Sequence, residues 1–459
     1  MAYAHIDRLD DAVGTGIERL VVSHHRRRLK HRGWAHAYAP PDDGLWCAGL
    51  PPPRDGNAVE VLVDGENALP RLQADIEHAE RSVWLAGWTF TPSFRLSPGG
   101  PTLRELLAAA AERADVKLIA WAGAPLPLFK PSRSQVREAR ERMVRATRIK
   151  MALDAKERPM HCHHEKLAVI DGRVAYVGGI DLTDLAGNRL DSSAHPARGE
   201  VGWHDASARI EGPLVADVAA HIALRWREVT QEPCEPECEV AERGPVRAQF
   251  VRTIPNDVYD EVPRGDYRIL EAYVRALRAA RTLVYLESQF FWSPEIVQIL
   301  REKLQRPPTD EFRVVLLLPA RPNNGEDDTR GQLGLLVDAD RDDRLTACTL
   351  YQPGRAGQVY VHAKIGIVDD RWLAIGSANL NEHSFFNDTE ACIVTCDEEL
   401  VRETRLRLWR EHLGSDEVSV DLWRERAKDH AYVRLDYLPH VSRRTRRFLG
   451  PLNGLLVDG

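Results

Sequence analysis

Residues 164–181 read HEKLAVIDGRVAYVGGID, and residues 362–379 read HAKIGIVDDRWLAIGSAN. The two stretches align without a gap at an offset of 198 residues, so one pattern of His, Lys, an apolar run and Asp occurs twice. Each apolar run has the length of a buried strand, and the turn after it leads into a second run. A repeat of this length predicts a chain built from two copies of one structural unit.

Further pairs of similar segments precede the two copies. AERSVWLAGWTF at 79–90 is echoed by ARTLVYLESQFF at 280–291, and DVKLIAWAG at 115–123 is echoed by FRVVLLLPA at 312–320. Each is an apolar strand that follows a helical pattern, and one of these helices begins with the capping sequence TLRE at 102–105. Strands that alternate with helices twice over predict two α/β lobes.

Breaks in the apolar pattern suggest the boundaries of these lobes. The first residues show no regular apolar period, and a segment near the middle of the chain is rich in Glu and Pro. We predict an N-terminal extension at 1–57, a first lobe at 58–230, a linker at 231–246, a second lobe at 247–415 and a C-terminal tail at 416–459.

The composition excludes several classes of protein. The 459 residues, of which 43% are hydrophobic, suffice for two or three domains and are too apolar for a disordered chain. The net charge of −7 gives no overall attraction to nucleic acid. No apolar run approaches the ~20 residues of a membrane span, and the N-terminus lacks the layout of a secretory signal. We therefore expect a soluble, cytoplasmic protein.

The paired His and Lys residues suggest a reaction at phosphorus. Side chains two residues apart project from one face of a strand, so His164 and Lys166 are expected to point together. The same holds for His362 and Lys364. Two lobes placed face to face would surround one phosphodiester, with lysines neutralising its oxygens, one histidine attacking phosphorus and the other protonating the leaving alkoxide. This chemistry needs no metal or cofactor, and we expect none.

The remaining residues of the two motifs are open to more than one interpretation. Asp171 and Asp369 are counted with the catalytic residues, although a carboxylate at a turn can also cap backbone amides. A single His-x-Lys pair is commonly an ordinary buried histidine, but its duplication favours a paired site. His161 and His163 are interpreted as pocket-edge or packing residues rather than metal ligands, because clustering alone is a weak signal.

Longer strings around the repeat resemble the phospholipase D superfamily, which is defined by two H-x-K-x-x-x-x-D motifs. The strings are HHEKLAVIDGRVAYVGGIDLTD, WHDASARIEGPLVADVAAHIALRW, LVYLESQFF and VYVHAKIGIVDDRWLAIGSANLNEHS. They are most similar to phospholipase D of the eukaryotic type, and the resemblance covers most of residues 58–415. It implies an α/β fold of two similar α-β-α lobes, each with a central mixed sheet, packed about a pseudo-twofold axis.

The resemblance also implies a reaction. The expected activity is hydrolysis of the distal phosphodiester bond of a phosphatidylcholine-like lipid to phosphatidic acid and a free alcohol, with phosphatidyl transfer to alcohols as a second outcome. By analogy with the family, His164 is the nucleophile that forms a phosphohistidine. His362 is the general acid, and afterwards the base that activates water.

Further residues would support these two histidines. Lys166, Lys364 and Asn379 match positions that hold the phosphate in the family. Glu390, in the family's downstream acidic position, would orient the histidine of the second motif. Asp191 is the candidate for the same duty towards the histidine of the first motif.

Two departures from the family leave the headgroup open. His383-Ser384 stands where Arg-Ser is common, and the loop at 184–191 is lengthened. The expected partner is a phospholipid at a membrane surface, with the protein bound peripherally to the membrane. We expect a monomer that does not require nucleic acid. The basic segment 130–150 is either an amphipathic membrane-surface helix or a solvated helix with a core-facing stripe. Alternative functions are a cardiolipin-synthase-like phosphatidyltransferase, a nuclease, and a catalytically idle lipid-binding module.

Overall fold

The structure is a computed structural model. It describes residues 2–125, 130–158, 161–185, 202–323, 326–350, 359–428 and 435–437.

The first half of the chain contains the following elements. The helices are α1 (Ala2–Arg32), α2 (Ala35–Tyr38), α3 (Asp64–Glu77), α4 (Leu103–Ala111), α5 (Arg133–Val144) and α6 (Leu214–Thr230). The strands are β1 (Arg54–Val63), β2 (Ser82–Gly87), β3 (Asp115–Trp121), β4 (Lys150–Asp154), β5 (Leu167–Ile170), β6 (Val174–Gly178), β7 (Gly202–His204) and β8 (Ala206–Glu211).

The second half continues this numbering. Its helices are α7 (Arg268–Ala279), α8 (Pro294–Gln305), α9 (Glu326–Ala339), α10 (Glu398–Leu413), α11 (Val420–Lys428) and a π-helix at His383–Asn387. Its strands are β9 (Val246–Ile254), β10 (Asp266–Tyr267), β11 (Leu283–Glu287), β12 (Arg313–Leu317), β13 (Leu345–Leu350), β14 (Val359–Val361), β15 (Ile365–Val368), β16 (Trp372–Gly376), β17 (Glu390–Thr395) and β18 (Leu435–Tyr437).

The two lobes have the same strand order, which confirms the predicted duplication. The order is β1-β8-β6-β5-β2-β3-β4 in the first lobe and β9-β17-β16-β15-β11-β12-β13 in the second. In both sheets the last three strands are parallel and the others antiparallel, so each sheet is mixed. β1 also pairs with β9, which joins the two sheets edge to edge.

Helices cover both faces of each sheet, which explains why the central strands are almost wholly apolar. α6 and α10 lie on a shared core that includes strands of both lobes. α3 and α4 close the outer face of the first lobe, and α7, α8 and α9 close that of the second. Thr102 caps α4 through the predicted capping box with Glu105. In α5, Val136 and Met143 are buried, as expected for a surface helix with a core-facing stripe.

The N-terminal extension begins with a long helix, α1, which the sequence did not predict. Arg28 of α1 anchors it to the second lobe through the side chains of Asn256, Tyr267 and Asn387. The same guanidinium donates to the carbonyl of Phe386 at 2.7 Å. These contacts are polar, so the apolar periodicity that reveals most helices is weak here.

The described residues after 415, which are 416–428 and 435–437, pack on the second lobe. β18 pairs with β13 at the edge of the sheet, and Trp423 of α11 is fully buried. In the part of the chain that the structure describes, no helix combines the length and the apolar character needed to cross a bilayer.

Candidate active site

The His and Lys residues of both motifs lie just before a strand rather than within it. Lys166 directly precedes β5, and Lys364 directly precedes β15. Lys166 donates to the carbonyl of His164, two residues earlier, at 2.6 Å, and Lys364 donates to the carbonyl of His362, also two residues earlier. All four side chains are at most 7% exposed. The expected grouping is therefore present, but backbone contacts produce it instead of strand alternation.

The backbone of each motif is held by the opposite lobe. The amide of His164 donates to the carbonyl of Thr389 at 2.9 Å, and the amide of His362 donates to the carbonyl of His204 at 2.8 Å. β14, which leads to the second motif, pairs in parallel with β7 of the first lobe. A bridge between His163 and Thr389 is the counterpart of this pairing in the first motif. The two motifs therefore meet at the lobe boundary.

Each imidazole is oriented by a carboxylate from the other lobe. Glu390 Oε1 lies 3.1 Å from His164 Nδ1, and Asp205 Oδ2 lies 2.6 Å from His362 Nδ1. The prediction that Glu390 orients His362 is wrong, because β17 and β8 flank the central strands and their starts reach across the boundary. Asp191, which was predicted to orient His164, lies outside the described residues. In the structure Glu390 is the carboxylate that contacts His164.

Sequence reasoning missed Asp205, although a signal was present. Asp205 directly precedes β8, Glu390 begins β17, and these strands hold the same place in the two sheets. His204-Asp205-Ala206 thus corresponds to Thr389-Glu390-Ala391, and an alignment extended beyond the motifs would have found the second carboxylate.

Two serines fix the Glu390 carboxylate. Ser377 and Ser384 both donate their hydroxyl groups to it, Ser384 at 2.6 Å. The Ser384 hydroxyl in turn accepts the amide of Asn379 at 3.0 Å. Glu390 is completely buried, so these bonds replace the solvent that a carboxylate would otherwise require. Ser384, the second residue of the His383-Ser384 pair that differs from the family's Arg-Ser, therefore holds the carboxylate that contacts His164.

Burial and the two lysines lower the pKa of one histidine of the site, His362. Burial, followed by the charges of Lys364 and Lys166, lowers the pKa of His362 to about 3 against the opposing pull of Asp205. Burial also lowers the pKa of Lys364 to about 8. For Asp205, burial opposes ionisation, but the charge and hydrogen bond of His362 hold its pKa below the usual range. Lysines of both lobes thus act on one imidazole, as expected for a single shared centre.

Asn379 and its counterpart Asp181 complete the polar lining. Asp181 Oδ2 lies 3.4 Å from Lys166 Nζ, and burial raises the pKa of this carboxyl. The amide nitrogen and oxygen of the Asn379 side chain are buried and find no hydrogen-bond partner among the described residues. A buried amide without partners is costly unless a ligand satisfies it. Asn379 is therefore available to a bound phosphate, whereas Asp181 is committed to a lysine.

The motif aspartates are structural, which corrects their inclusion among the catalytic residues. The carboxylate of Asp171 accepts the amides at the start of β2 at 2.7 to 3.2 Å, those of Glu80, Arg81 and Ser82. The carboxylate of Asp369 accepts the equivalent amides at the start of β11 at 2.7 to 2.8 Å, those of Arg281, Thr282 and Leu283. Both aspartates lie at the end of their strand away from the His and Lys residues.

His163 is a packing residue between the lobes. Its Nε2 lies 3.1 Å from Asp154 of β4, and its Nδ1 lies 2.8 Å from the hydroxyl of Thr389. Asp154 also binds the buried Arg225 of α6. Nδ1 is therefore hydrogen-bonded across the lobe boundary, and Nε2 lies beside a buried carboxylate.

An aromatic surface lies beside the second histidine. The rings of Trp203 and Tyr360 stack with centroids 4.7 Å apart, and the Trp203 ring lies 5.1 Å from that of His362. The Tyr360 hydroxyl accepts a hydrogen bond from Gln289 at 2.9 Å. Trp203 is partly exposed, so it offers an apolar, electron-rich surface next to this imidazole.

The arrangement can support covalent chemistry at phosphorus. Each histidine binds its carboxylate through Nδ1, and within the described residues its Nε2 has no hydrogen-bond partner. An Nδ1–H that donates to a carboxylate leaves the Nε2 lone pair free in the neutral ring, or an Nε2–H in the protonated ring. One imidazole can therefore attack while the other supplies a proton.

Comparison with known proteins gives relatives across most of the chain. A family model described as "Cardiolipin synthase, PLD-like domain" matches residues 273–410. Phospholipase D A of Dictyostelium discoideum is 25% identical over 79% of this chain and 36% of its own length. Phospholipase D alpha 4 of Arabidopsis thaliana is 23% identical over 80% of this chain and 66% of its own length. The chain thus spans between about a third and two thirds of these relatives.

A bacterial relative and a solved structure extend the comparison. Cardiolipin synthase of Listeria innocua is 23% identical over 81% of this chain and 72% of its own length. The crystal structure of phosphatidylserine synthase from Haemophilus influenzae superposes with a TM-score of 0.51, at 11% identity, over 77% of this chain and 86% of that one. This second likeness concerns the fold alone.

Proposed function

The chain belongs to the phospholipase D superfamily, and from this premise we propose that it is a phospholipase D. It hydrolyses the distal phosphodiester bond of a phosphatidylcholine-like lipid to phosphatidic acid and a free alcohol. The observation that carries the proposal is the pair of imidazoles, each bound through Nδ1 to a buried carboxylate of the opposite lobe. The charges of Lys364 and Lys166 both act on His362, and the side-chain amide of Asn379 has no hydrogen-bond partner among the described residues.

The reaction has two steps. In the first, His164 Nε2 forms a bond to phosphorus while the bond to the headgroup oxygen breaks, and His362 Nε2–H gives its proton to that oxygen. In the second, His362 takes a proton from water, the water oxygen bonds to phosphorus, and the phosphorus–nitrogen bond breaks. Phosphatidic acid leaves and both rings return to their starting state.

The site charges favour this order of events. Burial, followed by the charges of Lys364 and Lys166, lowers the pKa of His362, so its ring is neutral before substrate binds. A phosphodiester bound between the lysines adds negative charge, which raises the pKa of the ring and favours the protonated form that a general acid needs. Substrate binding thus prepares its own proton donor.

The aromatic surface suggests which headgroup is released. The leaving oxygen must lie beside His362, and Trp203 with Tyr360 lies beside the same ring. A quaternary ammonium group binds favourably over the face of such aromatic rings. We therefore assign choline-type headgroups to this side of the site.

A second candidate outcome is phosphatidyl transfer. The match to a domain described as that of cardiolipin synthase favours it, because an alcohol can replace water in the second step without any change to the first. With phosphatidylglycerol as both donor and acceptor, the product would be cardiolipin.

The test uses the purified chain with phosphatidylcholine vesicles, with and without ethanol, with phosphatidylglycerol vesicles, and separately with single-stranded DNA. We expect choline release in both phosphatidylcholine samples and phosphatidylethanol only when ethanol is present. His164→Asn should abolish both products, whereas His78→Asn, at an exposed histidine of α3's end, should change neither. Cleavage of DNA without any lipid product would overturn the proposal.

A further inference from the structure

A second cluster of histidine and carboxylate side chains lies next to the proposed nucleophile. His161 Nδ1 is 3.0 Å from His383 Nδ1 and 3.5 Å from Asp388 Oδ1. His161 belongs to the segment before the first motif, whereas the other two belong to the π-helix of the second lobe and the residue that follows it. The cluster therefore joins the two lobes three residues before His164 and two residues before Glu390.

The carboxylate of this cluster lacks a cationic partner. Asp388 is 0% exposed, and its Oδ1 accepts the amide of Cys162 at 2.9 Å. Its Oδ2 is buried and has no hydrogen-bond partner among the described residues, and no Lys or Arg among them forms an ion pair with it. Burying a carboxylate without a cation is expensive. A positively charged ligand would satisfy the free oxygen.

The fold itself does not require these residues. The offset between the motifs places Val359 at the position equivalent to His161. The matched starts of β8 and β17 place Trp203 at the position equivalent to Asp388. The equivalent junction, before the second motif, thus has an apolar and an aromatic side chain at these two positions. The coordinating groups of His161 and Asp388 therefore indicate a task beyond lobe packing.

We propose that His161, His383 and Asp388 form a binding site for a divalent transition-metal ion, with zinc as the best match. Two imidazoles and a carboxylate are ligands that zinc favours. Zinc ligands at about 2.0–2.1 Å in a tetrahedron lie about 3.3 Å from one another, close to the 3.0 and 3.5 Å separations observed. The fourth position is left for water or a further group.

The protonation state of the cluster suits a metal ion. Imidazole binds metals only in its neutral form. The two rings face each other through their Nδ1 atoms at 3.0 Å, so at least one of these nitrogens is an unprotonated acceptor. Coordination through both Nδ1 atoms requires only that the proton shared between the rings move to an Nε2 position, so no net proton is released.

Such an ion would brace the site rather than take part in the reaction. It would tie the segment before His164 to the segment before Glu390, and so fix the distance between the nucleophile and its carboxylate. The proposal does not depend on which lipid is the substrate, and its test needs no turnover.

The first measurement is of metal content and spectrum. Tag-free protein is treated with a chelator, loaded separately with zinc and with cobalt(II), and passed through a desalting column. We expect about one metal ion per chain by elemental analysis, visible absorption bands of tetrahedral cobalt(II), and a higher unfolding temperature with zinc. Less than a tenth of an equivalent after loading, with no cobalt bands, would overturn the proposal.

Variants then locate the ion. Asp388→Asn keeps the shape of the side chain and removes its charge, and His383→Gln removes one imidazole. Each should lower the retained zinc at least tenfold and abolish the cobalt bands, while the exposed-site control His78→Asn retains both. Undiminished zinc in folded Asp388→Asn and His383→Gln would place the ion elsewhere and refute this assignment.

Discussion

The crossed pairing of histidines and carboxylates predicts opposite defects in two variants, Asp205→Asn and Glu390→Gln. Asp205 lies 2.6 Å from His362 Nδ1, and both side chains are buried, at 1% and 4% exposure. A hydrogen bond to a charged group contributes about 1.5–3 kcal/mol, which equals about 10- to 150-fold in rate. The asparagine can also donate to Nδ1 and impose the wrong tautomer, which costs up to about 10⁴-fold in serine protease triads. We expect kcat on phosphatidylcholine to fall by about 10²- to 10⁴-fold.

The assay separates the two roles by changing the leaving group. Choline leaves as an alkoxide that needs a proton, whereas p-nitrophenolate leaves without one. On phosphatidyl-p-nitrophenol, Asp205→Asn should therefore release one equivalent at nearly the wild-type rate and then stall, because the base for the second step is impaired. Glu390→Gln should lose rate in the first step on both substrates, since it weakens the nucleophile itself.

A matched control guards against general loss of structure. Asp217→Asn removes a carboxylate that pairs with Arg54 on the surface of the first lobe, away from the site, and should leave both rates unchanged. Thermal melts verify that each variant is folded at the assay temperature. The reverse pattern, with the burst kept by Glu390→Gln and lost by Asp205→Asn, would exchange the roles of the two histidines. Equal losses on both substrates in both variants would refute the separation of roles.

Three further predictions follow from single contacts. Burial lowers the pKa of Lys364 to about 8, so kcat/KM should fall as the pH rises through about 8 and the ammonium group loses its charge. Arginine stays charged over this range, so Lys364→Arg should remove most of this fall. The measurement is a profile of kcat/KM from about pH 6 to about pH 10. Asparagine tolerates the left-handed backbone at φ 54°, but Asp171→Asn weakens the hydrogen bonds to the start of β2. Urea unfolding should therefore show a free energy of unfolding lower by about 1–3 kcal/mol, with kcat of the folded enzyme unchanged. A loss of turnover without a loss of stability would contradict the structural role. Trp203→Leu should raise KM for phosphatidylcholine by about two- to tenfold and leave KM for phosphatidylglycerol unchanged; an equal rise for both lipids would exclude recognition of the quaternary ammonium.

The sequence predicted the duplication because it depends on local apolar periods and on spacing, whereas the order of the strands came from the structure. The four His and Lys residues could likewise be paired, since the repeat itself marks them. The partners of the histidines could not be assigned in the same way. Glu390 lies in the same lobe as His362 but contacts His164, and only the packing of the lobes decides between the two.

Other features escaped the sequence for different physical reasons. α1 docks through Arg28 and other polar groups, with Leu29 as a buried apolar contact, which is too little to mark an apolar stripe in the sequence. Asp171 and Asp369 stand within a catalytic motif, yet their function is to accept amides of a neighbouring strand whose position the sequence does not reveal. His161 and His383 are 222 residues apart in the chain, so their contact could be found only in the folded protein.

The exchange of carboxylates across the lobe boundary means that neither half is an enzyme by itself. A separated first lobe would keep His164 but lose Glu390, and a separated second lobe would keep His362 but lose Asp205. Two fragments cut within 231–246 should regain turnover only on reassociation, so activity becomes a reporter of complementation. For the same reason, substitutions that weaken the pairing of β1 with β9 should abolish turnover at a temperature below the unfolding of either lobe. Turnover would then detect separation of the lobes earlier than spectroscopy detects their unfolding.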